Sequence, residues 1–375
     1  MAGVYVHIPY CIQACSYCDF HFTIYFGRIK QTIDAIILEA DQKRDYLKDE
    51  IIETIYFGGG TPSAVPEDAI RQILIKIKNL YPINSHPEIT LEANPDDITT
   101  SKIYNYQQMG INRLSIGVQS FNDDDLRLLN RRHSGKDAQT AVTNAIKGGF
   151  SNISIDLIYG IPGLKLVSWI ENLEKAFNLG ISHLSAYHLT YEPGTELYYR
   201  LQRNKIQQIP EEKSIQQFNQ LLKLSEQNGF HQYEISNFAA EDKISKHNTG
   251  YWTGKKYIGL GPSAHSYNGI ERQWNVNGII SYCKKVKAGE EYYEKELIDE
   301  RTRFNEYLLT SLRTKWGIEV EKVKCDFGNV YLDELLKKTE KHLIHKNLIC
   351  EKNRIILSGK GMFLADSIIQ DLFIC

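Results

Sequence analysis

Gly3-Val-Tyr-Val-His-Ile8, followed almost at once by Cys11-Ile-Gln-Ala-Cys15-Ser-Tyr-Cys18, decides how this chain is read. The first run is rich in β-formers and predicts a buried strand. The second sets three thiols within eight residues just past that strand's carboxyl end. In a parallel α/β barrel that end is where active sites gather. Thiolates at this spacing can converge on one soft centre, whether zinc, copper(I) or an iron–sulfur cluster. Zinc sites ordinarily add a second Cys or Cys/His pair, whereas Cys283, Cys325, Cys350 and Cys375 stand singly. Three thiolates on a four-iron cubane leave one iron open to a small chelating ligand.

Along the chain, strands are predicted near 3–8, 53–57, 88–93, 113–118, 153–159 and 184–189. Helices are predicted at 29–47, 66–80, 100–109, 136–147 and 169–179, the second with Ile70, Ile73, Leu74 and Ile77 on one face. Six such repeats imply parallel strands with right-handed crossovers, the α/β class. The alternation fades near residue 200, so an open, partial (β/α)6 barrel over 1–205 is expected. A connecting segment, 206–295, begins with a helix at 211–228 and becomes rich in Gly, His and aromatics between 233 and 267, where loops and short strands are expected. The last stretch, 296–375, reads as a helical, winged-helix-like domain, with helices at 301–313 and 332–342 and a hairpin around 354–361.

Composition narrows the function classes. The formal net charge is −2, and no basic field points to nucleic acid. No run of eighteen apolar residues exists to span a bilayer. The first residues show no basic n-region or apolar h-region, so a cytoplasmic setting with reduced thiols is expected. Polar residues interrupt three of the strands near one end: Glu92 in Leu91-Glu-Ala-Asn-Pro95, Gln119 in Ser115-Ile-Gly-Val-Gln-Ser-Phe121, and Asp156 in Ile153-Ser-Ile-Asp-Leu-Ile-Tyr159. A carboxylate in an apolar run is costly unless paired or ligand-bound. A barrel mouth would gather all three beside the cysteines.

The CxxxCxxC pattern with an aromatic before its last cysteine resembles the radical S-adenosylmethionine superfamily. His7-Ile-Pro-Tyr-Cys11 and Tyr17-Cys-Asp-Phe20 are similar to the branch that contains oxygen-independent coproporphyrinogen III dehydrogenases and heme chaperones, and the likeness runs through nearly the whole chain. It implies that Cys11, Cys15 and Cys18 hold a 4Fe-4S cluster whose open iron takes S-adenosylmethionine. It further implies that Tyr5, Tyr17, the glycine turn with Gly59, Gly60 and Thr61, and Glu92, Gln119, Arg131 and Asp156 contact that nucleotide. His133 would orient its neighbours.

Two departures separate the relatives. The dehydrogenases carry a further cysteine where this chain has Phe20, and an N-terminal extension where this chain is already in its first strand. His247-Asn-Thr-Gly-Tyr-Trp252 matches the HNxxYW motif of the chaperones. On that resemblance His247 is the expected axial heme ligand, with Tyr251 and Trp252 stacking on the porphyrin and His265 a second candidate. Tyr187-His188 and the 191–196 segment would shape the same cavity. The chaperone reading implies transfer of heme to respiratory hemoproteins, a homodimer and peripheral membrane contact. The enzyme reading implies radical decarboxylation of porphyrinogen propionates. A zinc-stabilised binding module is a third reading.

Overall fold

The computed structural model describes residues 1–48 and 50–374. Six strands, β1 (Ala2–Ile8), β2 (Ile52–Gly59), β3 (Ile83–Ala93), β4 (Arg113–Gln119), β5 (Ile153–Tyr159) and β6 (His183–His188), pair in parallel and in sequence order. Their crossovers carry α1 (Ile29–Gln42), α2 (Glu67–Leu80), α3 (Thr100–Met109), α4 (Asp123–Leu128), α5 (Gly135–Lys147) and α6 (Leu166–Asn178). This is the partial (β/α)6 barrel that the repeats predict. The strands form because near-continuous apolar runs are buried on both faces, as parallel sheets require; Val4, Val6, Ile8, Ile55, Phe57, Ile155 and Leu157 are fully buried. The helix expected to reach residue 47 ends at Gln42, five residues early, where the chain passes into turns.

After α7 (Glu196–Gln202) and α8 (Glu211–Gln227), the segment 206–295 extends the sheet at both edges. The hairpin of β7 (His231–Glu234) and β8 (Asn237–Ala239) adds antiparallel to β6. The chain then forms α9 (Lys246–Trp252) and returns to the opposite edge, where β9 (Tyr257–Leu260) runs parallel to β1. Beyond it come β10 (His265–Tyr267), β11 (Glu271–Asn275), α10 (Ile279–Ala288) and β12 (Tyr293–Leu297). Among the described residues the result is one open sheet of twelve strands. The sequence reading expected loops and short strands across 233–267; α9 is a helix it lacked.

The C-terminal part has its own core. It comprises α11 (Glu300–Leu312), β13 (Ile318–Glu319), α12 (Val320–Ile344), β14 (Leu348–Glu351), β15 (Arg354–Leu357), α13 (Gly359–Met362) and α14 (Ala365–Leu372). The strands form a small sheet in the order β13-β15-β14, a β-wing beside helices. The helix expected at 332–342 begins twelve residues earlier and bends at Gly328, whose φ of 85° breaks helical geometry. Among the described residues no helix is long and apolar enough to cross a membrane.

Candidate functional site

The three cysteines leave the carboxyl end of β1 on a loop clamped to the α4–α5 connection. Ser16 donates from its amide to the Leu129 carbonyl at 3.1 Å and from its hydroxyl to the Leu128 carbonyl at 2.8 Å. Gln13 reaches the Asn130 carbonyl at 2.8 Å, and Asn130 answers at the Ala14 carbonyl at 2.7 Å. All three thiols are free and half-buried. Burial pushes Cys11 up to about 11 and Cys18 to about 12, so metal loading must displace protons.

A belt of hydrogen bonds links two of the sulfurs. Thr61 Oγ1 donates to Cys11 Sγ at 3.3 Å, and Asn94 Nδ2 donates to Thr61 Oγ1 at 3.4 Å. Asn94 Oδ1 accepts from the Arg131 guanidinium at 2.7 Å, and the same guanidinium donates to Cys15 Sγ at 3.1 Å and to the Gly117 carbonyl at 2.8 Å. Among the described residues no group of three His, Cys, Asp or Glu forms a site for a metal ion. The fit to a cluster therefore rests on the donor set: three thiols on one loop, two of them met by polar donors that favour the thiolate.

The glycine turn folds back onto this loop. Gly60 and Thr61 donate their amides to the Ile8 and Tyr10 carbonyls at 2.9 and 2.7 Å. A Cβ at Gly60 would lie 2.7 Å from Ile8 O, and Gly59 takes a left-handed φ of 102°. Gln119 ends β4 in a left-handed conformation too, φ 66°, at an irregularity in the β4–β5 register, and its amide lies over Gly117 beside Arg131. Tyr17 is held against Arg131 and Cys15. His133 is buried and bonded to the Val118 carbonyl at 3.0 Å.

Below this level the lumen holds a cavity of about 320 Å³ walled by Tyr5, Tyr56, Glu92, Arg113, Asp156 and His247. Glu92 accepts from the Tyr56 hydroxyl at 2.7 Å. Burial pushes its carboxyl up to about 7, and Asp156 adds to the rise. Burial likewise pushes Asp156 up to about 6, against the pull of Ser185, Arg113 and Ser115. Thus Tyr5, Glu92 and Asp156 share the lumen, while Thr61, Gln119 and Arg131 stand above it with the cysteines.

His247 lies at the other end of the barrel. Thr54, near the amino end of β2, pairs with Glu88 in the middle of β3 and with Gly3 at the start of β1, and both Thr54 and Glu88 are partners of His247. Its Nδ1 is hydrogen-bonded to Thr54 Oγ1 at 2.7 Å and its Nε2 to the Tyr251 hydroxyl at 2.9 Å. Its backbone amide donates to Glu88 at 3.0 Å, and its ring stacks on Tyr56 with centroids 5.0 Å apart. Burial, with Arg113 adding to it, pulls its pKa down to about 3. Both ring nitrogens of His247 are thus engaged, and the ring closes the barrel floor. Sequence reasoning also missed Arg113, Asn94, Tyr56 and Glu88. Arg113 is 2% exposed at the start of β4, with its Nε unpartnered.

Phe20 is 68% exposed, and His265 is exposed with its ring stacked on Trp274. Tyr187 lines the lumen, whereas His188 turns away to bond Ser214 at 2.9 Å. Cys375 lies outside the described residues.

Comparison with known proteins bears on family and fold. The Radical SAM superfamily profile matches residues 5–176. A Bacillus subtilis protein named heme chaperone HemW is 32% identical over 98% of this chain and 98% of its own. A Danio rerio protein, the mitochondrial radical S-adenosyl methionine domain-containing protein 1, is 30% identical over 100% of this chain and 87% of its own. The Escherichia coli coproporphyrinogen III oxidase (HemN) structure superposes with a TM-score of 0.86 over 99% of this chain and 90% of that one, at 22% identity, a likeness of fold. The chain belongs to the radical S-adenosylmethionine superfamily and, within it, resembles the proteins named heme chaperone HemW.

Proposed function

We propose that this protein is a heme chaperone that carries a 4Fe-4S cluster on Cys11, Cys15 and Cys18, binds S-adenosylmethionine at the mouth of the barrel, and passes heme to respiratory hemoproteins. The observation that carries the reading is Phe20: an exposed phenylalanine stands where the dehydrogenase branch has its further cysteine. When bound, the cluster supplies a one-electron centre with one open iron for the nucleotide's amino and carboxylate groups.

The chain's own part is to hold and neutralise. Thr61 and Arg131 place donors on two of the thiolates. The turn at Gly59 and Gly60 brings backbone close to the loop, as a ligand held by backbone atoms needs. Glu92, Gln119 and Asp156 supply acceptors for amino and hydroxyl groups, with Tyr5 and Tyr17 as aromatic walls. A cytoplasmic setting, a homodimer and contact with a membrane surface complete the proposal.

The test is hemin titration of the anaerobically reconstituted, full-length protein, run beside an assay for coproporphyrinogen turnover. Stoichiometric hemin binding without turnover is expected. Turnover without hemin binding overturns the chaperone reading in favour of the dehydrogenase. Zinc in place of iron and acid-labile sulfide, or a cluster that survives change of the three cysteines to serine, overturns the cluster assignment.

A further inference from the structure

A histidine ligates heme iron through an unengaged ring nitrogen. His247 has none, and neither does His7, whose Nδ1 and Nε2 are bonded to the Tyr5 hydroxyl at 3.1 Å and the His21 carbonyl at 3.0 Å. A second cavity, of about 680 Å³, opens beside the cysteine loop. Its wall runs from Tyr251 and Tyr257 past His7 to Phe20, Phe22 and His265. The volume falls within the range of small-molecule sites, roughly 300–1,000 Å³, and is about twice that of the lumen. Five aromatic rings on the lining, Tyr5, Phe20, Phe22, Tyr251 and Tyr257, suit a flat macrocycle.

Two further imidazoles face this space. The Nε2 of His21 is packed away from solvent with no partner. His265 differs. It is exposed, it rests against Trp274 with centroids 6.4 Å apart, and among the described residues its ring nitrogens have no hydrogen-bond partner. Partial burial and the nearby Arg272 pull its pKa down.

We infer that heme occupies this second cavity, beside the cluster loop rather than at the barrel floor, with the His265 imidazole as its axial ligand. The inference rests on the heme-binding reading above. It also gives His247 and Tyr251 a different role. As an i, i+4 pair on α9 they bond to each other and form the floor and the inner end of the cavity wall.

The test uses hemin with the full-length, cluster-loaded protein and its His265→Ala and His247→Ala variants, followed by Soret absorbance and by electron paramagnetic resonance of the ferric heme. His265 is exposed, so its replacement leaves circular dichroism and cluster absorbance unchanged. His265→Ala is expected to weaken hemin binding at least tenfold and to lose the imidazole-ligated spectrum, with added imidazole restoring it. His247→Ala, where it folds, keeps that spectrum. A His265→Ala protein with wild-type affinity and spectrum overturns the inference and leaves the chaperone reading standing. A wild-type protein that binds no hemin overturns the chaperone reading itself.

Discussion

Glu92 is a carboxylic acid stored at a position where ionisation is costly. It is enclosed by β2 and β3, bonded to Tyr56, and faces Asp156 and Arg113. Its pKa rises from 4.5 to about 7 mainly through burial. A carboxyl with a raised native pKa favours the fold fully below its unfolded value, and that stability is lost as pH rises through the native value. The window for Glu92 is therefore pH 4.5 to 7. Glu92→Gln should stabilise the protein without cofactors by about 3 kcal/mol at pH 8 and by almost nothing at pH 4.5, while weakening nucleotide binding. Urea unfolding at the two pH values checks this, and a pH-independent difference would refute it. Carboxylates of this kind were legible in the sequence because a charge inside an apolar run has few innocent explanations. Arg113 was not, since a cation at a strand's first residue ordinarily faces water. Asn94 was not either: a neutral amide before Pro95 reads as a turn, and only the fold brings it between Thr61 and Arg131.

Helix α9 is short, and its Asn-Thr-Gly-Tyr-Trp run has poor helix propensity. Tertiary contacts hold it instead. Ser245 caps it by accepting the Asn248 amide, and the buried carboxylate of Glu88 accepts the Lys246 and His247 amides at 3.1 and 3.0 Å. Gly3 leaves room for the His247 ring, because a Cβ there would approach it to 3.2 Å. Glu88→Ala strands two amides and removes charge from a helix N-terminus, at a cost of about 2 kcal/mol. Amide exchange across 246–252 should then quicken by roughly thirtyfold, while the six parallel strands stay protected. Unchanged exchange would show that α9 is held from elsewhere. This element also marks where sequence reading stopped. The barrel strands were legible because each is a local run of buried residues, and strands β5 and β6 were found within one residue of their bounds. The HNxxYW resemblance named a residue for heme, but its place at the floor depends on Gly3, Thr54 and Glu88, which lie some 160 to 240 residues away in the chain. No local pattern carries such pairings.

Taken from end to end, the chain builds two cores that meet at a joint. The barrel core is continuous from β1 to β12, whereas Phe304, Leu308, Leu335, Ile355 and Leu372 anchor a separate cluster in the C-terminal part. The joint runs along β7: Ile235 donates to the Arg313 carbonyl at 3.1 Å, Lys315 donates to the Tyr233 carbonyl at 3.0 Å, and Tyr233 tilts against Trp316 with centroids 6.5 Å apart. Phe218 also meets Phe363 with centroids 5.1 Å apart, Arg272 pairs with Glu306 at 2.7 Å, and Met362 packs against both cores; two cores so joined unfold as separate units when the coupling is smaller than either core's stability. Leu335 is fully buried in α12. Truncating it to alanine removes transfer free energy and leaves a cavity, about 3 kcal/mol in all. Scanning calorimetry of Leu335→Ala should therefore show the C-terminal transition moved down by several degrees. The barrel transition and the absorbance of the loaded cluster should stay in place, because the cysteine loop is anchored to the α4–α5 connection and to Leu197, within the first 200 residues. A single merged transition that shifts as a whole would mean that the β7 joint couples the two cores into one cooperative unit.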